Sequence, residues 1–80
     1  MRPHTVVVYS RPGCHLCERL LEELAPLVRG RASLELRDVD DDPRWRRELG
    51  ERIPVVEIDG RVTCELTLDS GAVLQALASN

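Results

Sequence analysis

Two cysteines stand three apart in the stretch Tyr9-Ser10-Arg11-Pro12-Gly13-Cys14-His15-Leu16-Cys17. Such a pair has two chemistries open to it: half of a metal site, or a dithiol that closes and reopens as a disulfide. After the loop signal Arg11-Pro12-Gly13, Leu16, Leu20, Leu24 and Leu27 recur with Leu21 and Val28 at helical spacing, and Glu18, Arg19, Glu22 and Glu23 take the other face. A helix therefore begins at or near Cys14. Residues three apart at its opening share a face, so the two sulfurs can reach the narrow geometry a disulfide requires. Unpaired N–H groups and the positive end of the helix dipole favour thiolate at the first sulfur. Cys14 is expected to ionise more readily than a free cysteine, and Cys17, one turn inside, is not. That asymmetry assigns the roles: Cys14 attacks a substrate disulfide and Cys17 resolves the mixed disulfide. His15, when protonated, and Arg11 add positive character beside them.

Structural zinc wants four ligands, and the remaining candidates are Cys64, His4 and His15. The chain has no second C-x-x-C and no H-x-x-x-H. Cys64, alternating with Val62 and Leu66, reads as a small buried hydrophobe on one strand face. No metal site is expected.

The elements that must position the pair follow from patterning. Thr5-Val6-Val7-Val8-Tyr9 is β-branched without polar alternation, as in a strand covered on both faces. Pro26 lies inside the first helix and removes the bond to Glu22's carbonyl, so a kink or tightening is expected before the end near Arg29-Gly30. Leu34 to Arg37 alternates, as at a sheet edge. In DDDPRWRRELG, Asp42 can cap, Pro43 fits the first helical position, Trp45 and Leu49 share a face, and Gly50 stops the turn. Residues 54–58 and 61–65 flank Asp59-Gly60, a strong hairpin signal. Asp69 or Ser70 caps a last helix over Ala72 to Ala78, with Val73, Ala76 and Leu77 buried. The order is β-α-β-α-β-β-α, with a right-handed parallel first crossover. Cys14 then lies past the carboxyl end of the central strand, where open α/β sheets place their sites.

Composition narrows the partners. Eighty residues with 42% apolar content, one Trp, one Tyr and no Phe make one domain, residues 1–80, with an aliphatic core. A net charge of −3, with Arg interleaved among acidic residues, argues against nucleic acid or an anionic membrane as partner. The apolar run Val6 to Tyr9 is too short for a signal peptide or membrane span, so a cytoplasmic location and a monomer are expected. Three cysteines, two of them adjacent in a helix turn, suit a reducing compartment better than a secreted disulfide framework. Tyr9 and Trp45 read as packing residues, His4 as exposed, and Asp38, Asp40, Asp41 and Asp42 as loop solvation plus a helix cap.

The stretches VVVYSRPGCHLC, LRDVDDDP and RIPVVEIDG, in this element order, resemble the thioredoxin superfamily and within it the glutaredoxin-like branch. The resemblance covers nearly the whole chain. It implies an α/β thioredoxin/glutaredoxin-like fold, a four-stranded mixed sheet with helices on both faces, and a role in cell redox homeostasis. It implies further that Ile53-Pro54 occupies the family's cis-proline place. There Ile53's backbone N–H and C=O pair with an extended substrate segment and align its sulfur on Cys14. Arg11 matches the basic residue shortly before the first cysteine that serves a glutathione site. Substrates are then protein or small-molecule mixed disulfides. No bound cofactor is implied; the co-substrate is glutathione or another low-molecular-weight thiol, with a flavoprotein as alternative reductant. The family's Gly-Gly pair after the last strand is missing, and Leu66-Thr67-Leu68-Asp69-Ser70 stands there instead. The alternative is a metal-binding module on the same cysteines: a Cu(I) or zinc carrier, or an iron–sulfur glutaredoxin. Copper chaperones, however, run β-α-β-β-α-β and carry Met where this chain has Pro12.

Overall fold

The computed structural model describes residues 3–78. Strand β1 (His4–Ser10) leads into helix α1 (His15–Val28), and β2 (Ala32–Asp38) follows. A short 3-10 turn at Val39–Asp41 precedes α2 (Pro43–Leu49), then β3 (Val55–Ile58), β4 (Arg61–Glu65) and α3 (Ser70–Ala78). The sheet order is β2-β1-β3-β4, with β1 parallel to β2 and antiparallel to β3, and β3 antiparallel to β4. This is an α/β thioredoxin-like arrangement, a four-stranded mixed sheet flanked by three helices.

Side chains alternate across β1, and each set meets a different layer. Val6 and Val8 are fully buried with Val56 and Ile58 beneath Leu20, Leu24 and Val28 of α1 and Val73 and Leu77 of α3. Val7, Tyr9 and Val55 face the other way, under Trp45 and Leu49 of α2. Trp45 meets Tyr9 edge to face with ring centroids 5.4 Å apart, which anchors the two-turn α2 on the sheet. The Tyr9 hydroxyl sits at the rim, donating to Glu57 and accepting from Arg37.

Local chemistry sets most boundaries as expected. Asp42 caps α2 by accepting from the Arg44 N–H, and Pro43 takes the first turn. Asp59 and Gly60 adopt φ of 52° and 86°, the left-handed pair of a two-residue hairpin, and Ile58 faces Arg61 across it. Asp69 caps α3 by accepting from Ala72 N–H. Helix α1 runs unbroken through Pro26, because the carbonyl that loses its partner belongs to exposed Glu22.

Three expectations are corrected. Leu16 is exposed rather than packed, because the buried stripe of α1 runs Cys17, Leu20, Leu24, Val28, and the residue one position earlier points outward. Val62 and Leu66 are exposed although Cys64 is buried. A bulge pairs Val56 with Cys64 but the next residue, Glu57, with Val62, leaving Thr63 extra and moving Val62 off the core face. His4 is not simply exposed: its Nδ1 approaches the Asp59 carboxylate and is mostly covered there.

Gly50 ends α2 in the right-handed region, so its need for glycine is spatial rather than conformational. A Cβ there would lie 2.5 Å from the Arg46 carbonyl oxygen and 3.4 Å from the Arg11 guanidinium. Gly50→Ala is expected to cost about 1–3 kcal/mol of stability, measured as a lower urea midpoint at unchanged slope.

Candidate functional site

The loop between β1 and α1 is built to present Cys14. The Cys14 N–H donates to the Arg11 carbonyl, closing a turn with Pro12 second and Gly13 third, at φ 78°. Proline presets the first central position and glycine alone accepts the second without strain. Cys14 is then the N-cap of α1, in extended backbone, and its carbonyl accepts the first helical bond from Glu18. Its sulfur accepts from the Cys17 N–H at 3.2 Å, the capping contact usually made by a Ser or Asp oxygen.

Cys14 and Cys17 are joined as a disulfide, with Cα atoms 5.2 Å apart. Their environments differ. Cys14 is partly exposed at the mouth of the loop, whereas Cys17 continues the buried stripe of α1 and is 2% exposed. An external sulfur therefore reaches Cys14 first. Burial pushes the Cys64 thiol above the ordinary cysteine value, and it lies under α3, bonded to the Asp69 backbone.

An open cleft of about 400 Å³ borders the pair, walled by Cys14, Cys17, Arg11, Glu18, Leu36 and Asp38 among others. Arg11 is at this cleft, but its guanidinium grips Asp40 in a fork: Nε to Oδ2 at 2.7 Å and Nη2 to Oδ1 at 3.0 Å. Arg46 contacts the same aspartate from α2, at 3.3 Å, and also donates to its backbone carbonyl. Asp38 caps the 3-10 turn by accepting from Asp40 N–H. The aspartate run thus ties the end of β2 to the loop before Cys14, a role that patterning did not show because the partner lies 29 residues away.

The Arg11 fork holds the Asp40 carboxyl below the usual carboxylate range. A lowered native value means the contribution is fully present above the unfolded carboxyl pKa of about 3.9. It is lost as pH falls through the native value. Stability should therefore decline below about pH 4, with a shallower decline in Asp40→Asn, read from unfolding curves at stepped pH.

Ile53 and Pro54 reach the same end of the sheet. The β1–β3 ladder closes at Tyr9 with Val55, so the next residues back along β3 run alongside the start of the Cys14 loop. The Ile53–Pro54 peptide bond is cis and Pro54 is buried. Pro54's carbonyl accepts from the Leu66 N–H at 2.8 Å. Leu66 itself is exposed with φ 68°, a left-handed conformation rare for leucine. His15 is open to solvent and approaches Glu18 at 3.5 Å. Among the described residues, no group of three or more His, Cys, Asp or Glu is placed to hold a metal ion, and no helix is long and apolar enough to cross a membrane.

Comparison with known proteins agrees with this geometry. The model of the Glutaredoxin-like domain (DUF836) matches residues 5–78. An uncharacterised protein of Mycobacterium tuberculosis is 36% identical over 63 residues, covering 70% of this chain and 64% of that relative. An uncharacterised Mycobacterium bovis protein matches at the same identity and coverage. The chain thus spans about 64% of the length of these curated relatives. Among solved structures, protein Ne2328 of Nitrosomonas europaea superposes with TM-score 0.81 at 32% identity, over 91% of this chain and 89% of that one. Protein XcR50 of X. campestris gives 0.73 at 28% identity over 94% and 99%. The holo form of glutaredoxin C1 from Populus tremula x tremuloides shares the fold, with TM-score 0.57 at 23% identity over 88% and 70%.

Proposed function

The chain belongs to the glutaredoxin-like domain family, and on that premise we propose that it is a small thiol–disulfide oxidoreductase working through Cys14 and Cys17. The observation that carries this reading is the capping contact: in the disulfide form the Cys17 N–H and the head of α1 face the Cys14 sulfur, and the same donors would favour its thiolate once the pair is reduced. The thiolate attacks one sulfur of a substrate disulfide. A bond from Cys14 to that sulfur forms, the substrate S–S bond breaks, and the departing thiolate takes a proton. Cys17 then gives up its proton and attacks the Cys14 sulfur, releasing the second substrate thiol. The substrate gains two electrons and the chain keeps them missing as the Cys14–Cys17 disulfide. A low-molecular-weight thiol such as glutathione, or a flavoprotein reductant, returns the pair to dithiol.

Ile53 and Pro54 support substrate alignment in this reading. Ile53's backbone lies just outside the sheet ladder, where an extended segment can pair with it as an added strand does. Arg11 borders the substrate while holding the loop. A monomer in a reducing compartment such as the cytoplasm is the setting this chemistry suits.

The test offers each electron donor in turn to the oxidised protein and follows reduction of a protein disulfide and of a glutathione mixed disulfide. Turnover with at least one donor supports the reading. Stoichiometric Cu(I), zinc or an iron–sulfur cluster on the anaerobically purified protein, with no turnover by any donor, would replace it with a metal-binding role.

A further inference from the structure

The residues around the dithiol carry more negative than positive charge, and the inference this supports deepens the oxidoreductase reading and rests on it. Among the described residues that wall the cleft, Arg11 is the only cation, and Glu18, Asp38 and Asp41 are carboxylates. The Arg11 cation is already engaged: Asp40 takes its Nε and Nη2 in a fork, and Asp38 adds to the negative field on it. The fork uses its Nε–H and one Nη2–H, leaving the Nη1 donors and the second Nη2–H beside a charge that already faces a carboxylate. Arg46 shares Asp40 but is not part of the cleft wall, and His15 faces Glu18 from open solvent, charged only when protonated. Apart from Ser10, the rest of the wall carries no polar side chain beyond the two cysteines, with Leu21 half-buried and Leu36 57% exposed on the edge strand β2.

A tripeptide thiol of net negative charge is disfavoured by a cleft in which carboxylates outnumber cations. We propose that the preferred substrate is a disulfide carried on a basic protein segment, with Lys or Arg and an aliphatic residue flanking the cysteine. The cation faces Glu18 and Asp41, the aliphatic side chain covers Leu36, and the segment's sulfur meets Cys14. Such complementarity acts mainly through the rate of encounter, and salt weakens it. The electrons move as in the two-step exchange above, drawn from the dithiol form prepared with an external thiol.

The experiment uses the whole chain, reduced with dithiothreitol and freed of it, in single-turnover reactions. Two disulfide peptides are compared that differ only in Lys or Glu beside the Cys-Leu pair, with glutathione disulfide as a third substrate. At low salt the Lys peptide should react at least about tenfold faster than either of the others, and the ratio should shrink as ionic strength rises. In the double variant Glu18→Gln, Asp41→Asn the ratio should fall toward unity. Reduction of all three substrates at equal rates, or faster reaction of the acidic ones, overturns the charge selection while leaving the dithiol chemistry standing. A ratio unchanged in the double variant overturns the assignment to these carboxylates. A reduced protein that acts on none of the three removes the oxidoreductase reading, and this inference with it.

Discussion

Cys14→Ser lowers the rate of disulfide reduction by at least on the order of 10³-fold, while the fold persists. The two halves of that expectation have separate causes. Serine is a good N-cap, and its hydroxyl can accept the Cys17 N–H as the Cys14 sulfur does, so the start of α1 is kept. A hydroxyl does not ionise in the neutral range, however, and does not form a disulfide. The loss is therefore chemical, and a thermal melt close to that of the wild type, with its own disulfide reduced, separates it from misfolding. Cys17→Ser behaves differently. Its nucleophile remains, so the first exchange proceeds and stops at the mixed disulfide, which appears in intact mass as an adduct on Cys14. An adduct on Cys17 in Cys14→Ser, with none on Cys14 in Cys17→Ser, would reverse the assigned order.

Leu24→Ala is expected to cost about 2–5 kcal/mol, against a total of roughly 5–15 kcal/mol for a domain of ordinary stability. Leu24 is fully buried between α1 and the sheet, in one cluster with Val6, Val8 and Val56. Its removal leaves a cavity under the middle of the helix whose first turn carries the cysteines. Urea denaturation should show a lower midpoint at an unchanged slope. Leu16→Ala, on the same helix but exposed, should lie within about 0.5 kcal/mol of wild type. The contrast tests the stripe directly, because both leucines fit a helical apolar pattern and only the structure separates them. Equal costs for the two would contradict the packing described.

Much of the architecture was legible because several signals were local and agreed. The β-branched run of β1, the Asp42-Pro43 start of α2 and the Asp59-Gly60 hairpin each depend on neighbouring residues, and each lies where patterning puts it. The cysteine pair was legible for the same reason, being a helix turn apart behind Pro-Gly. What escaped was set by tertiary partners or by a slip in register. Cys17, rather than Leu16, completes the buried stripe. The bulge at Thr63 turns Val62 outward, and no residue type there announces an extra position. The joining of Arg11 to Asp40 crosses from one loop to another and could not be read from either. It is this last contact that turns a residue of the expected type into one already engaged by a carboxylate.

The claim on which the function depends is that one sulfur at the head of α1 is held ready to react while its neighbour waits beneath it. Alkylation of the fully reduced native protein at neutral pH, quenched at short times and mapped to each cysteine, tests this most directly. The account predicts that Cys14 is modified well before Cys17, that buried Cys64 is modified only on unfolding, and that mild oxidation before alkylation protects Cys14 and Cys17 together. Equal, slow modification of Cys14 and Cys17, unaffected by prior oxidation, would contradict it.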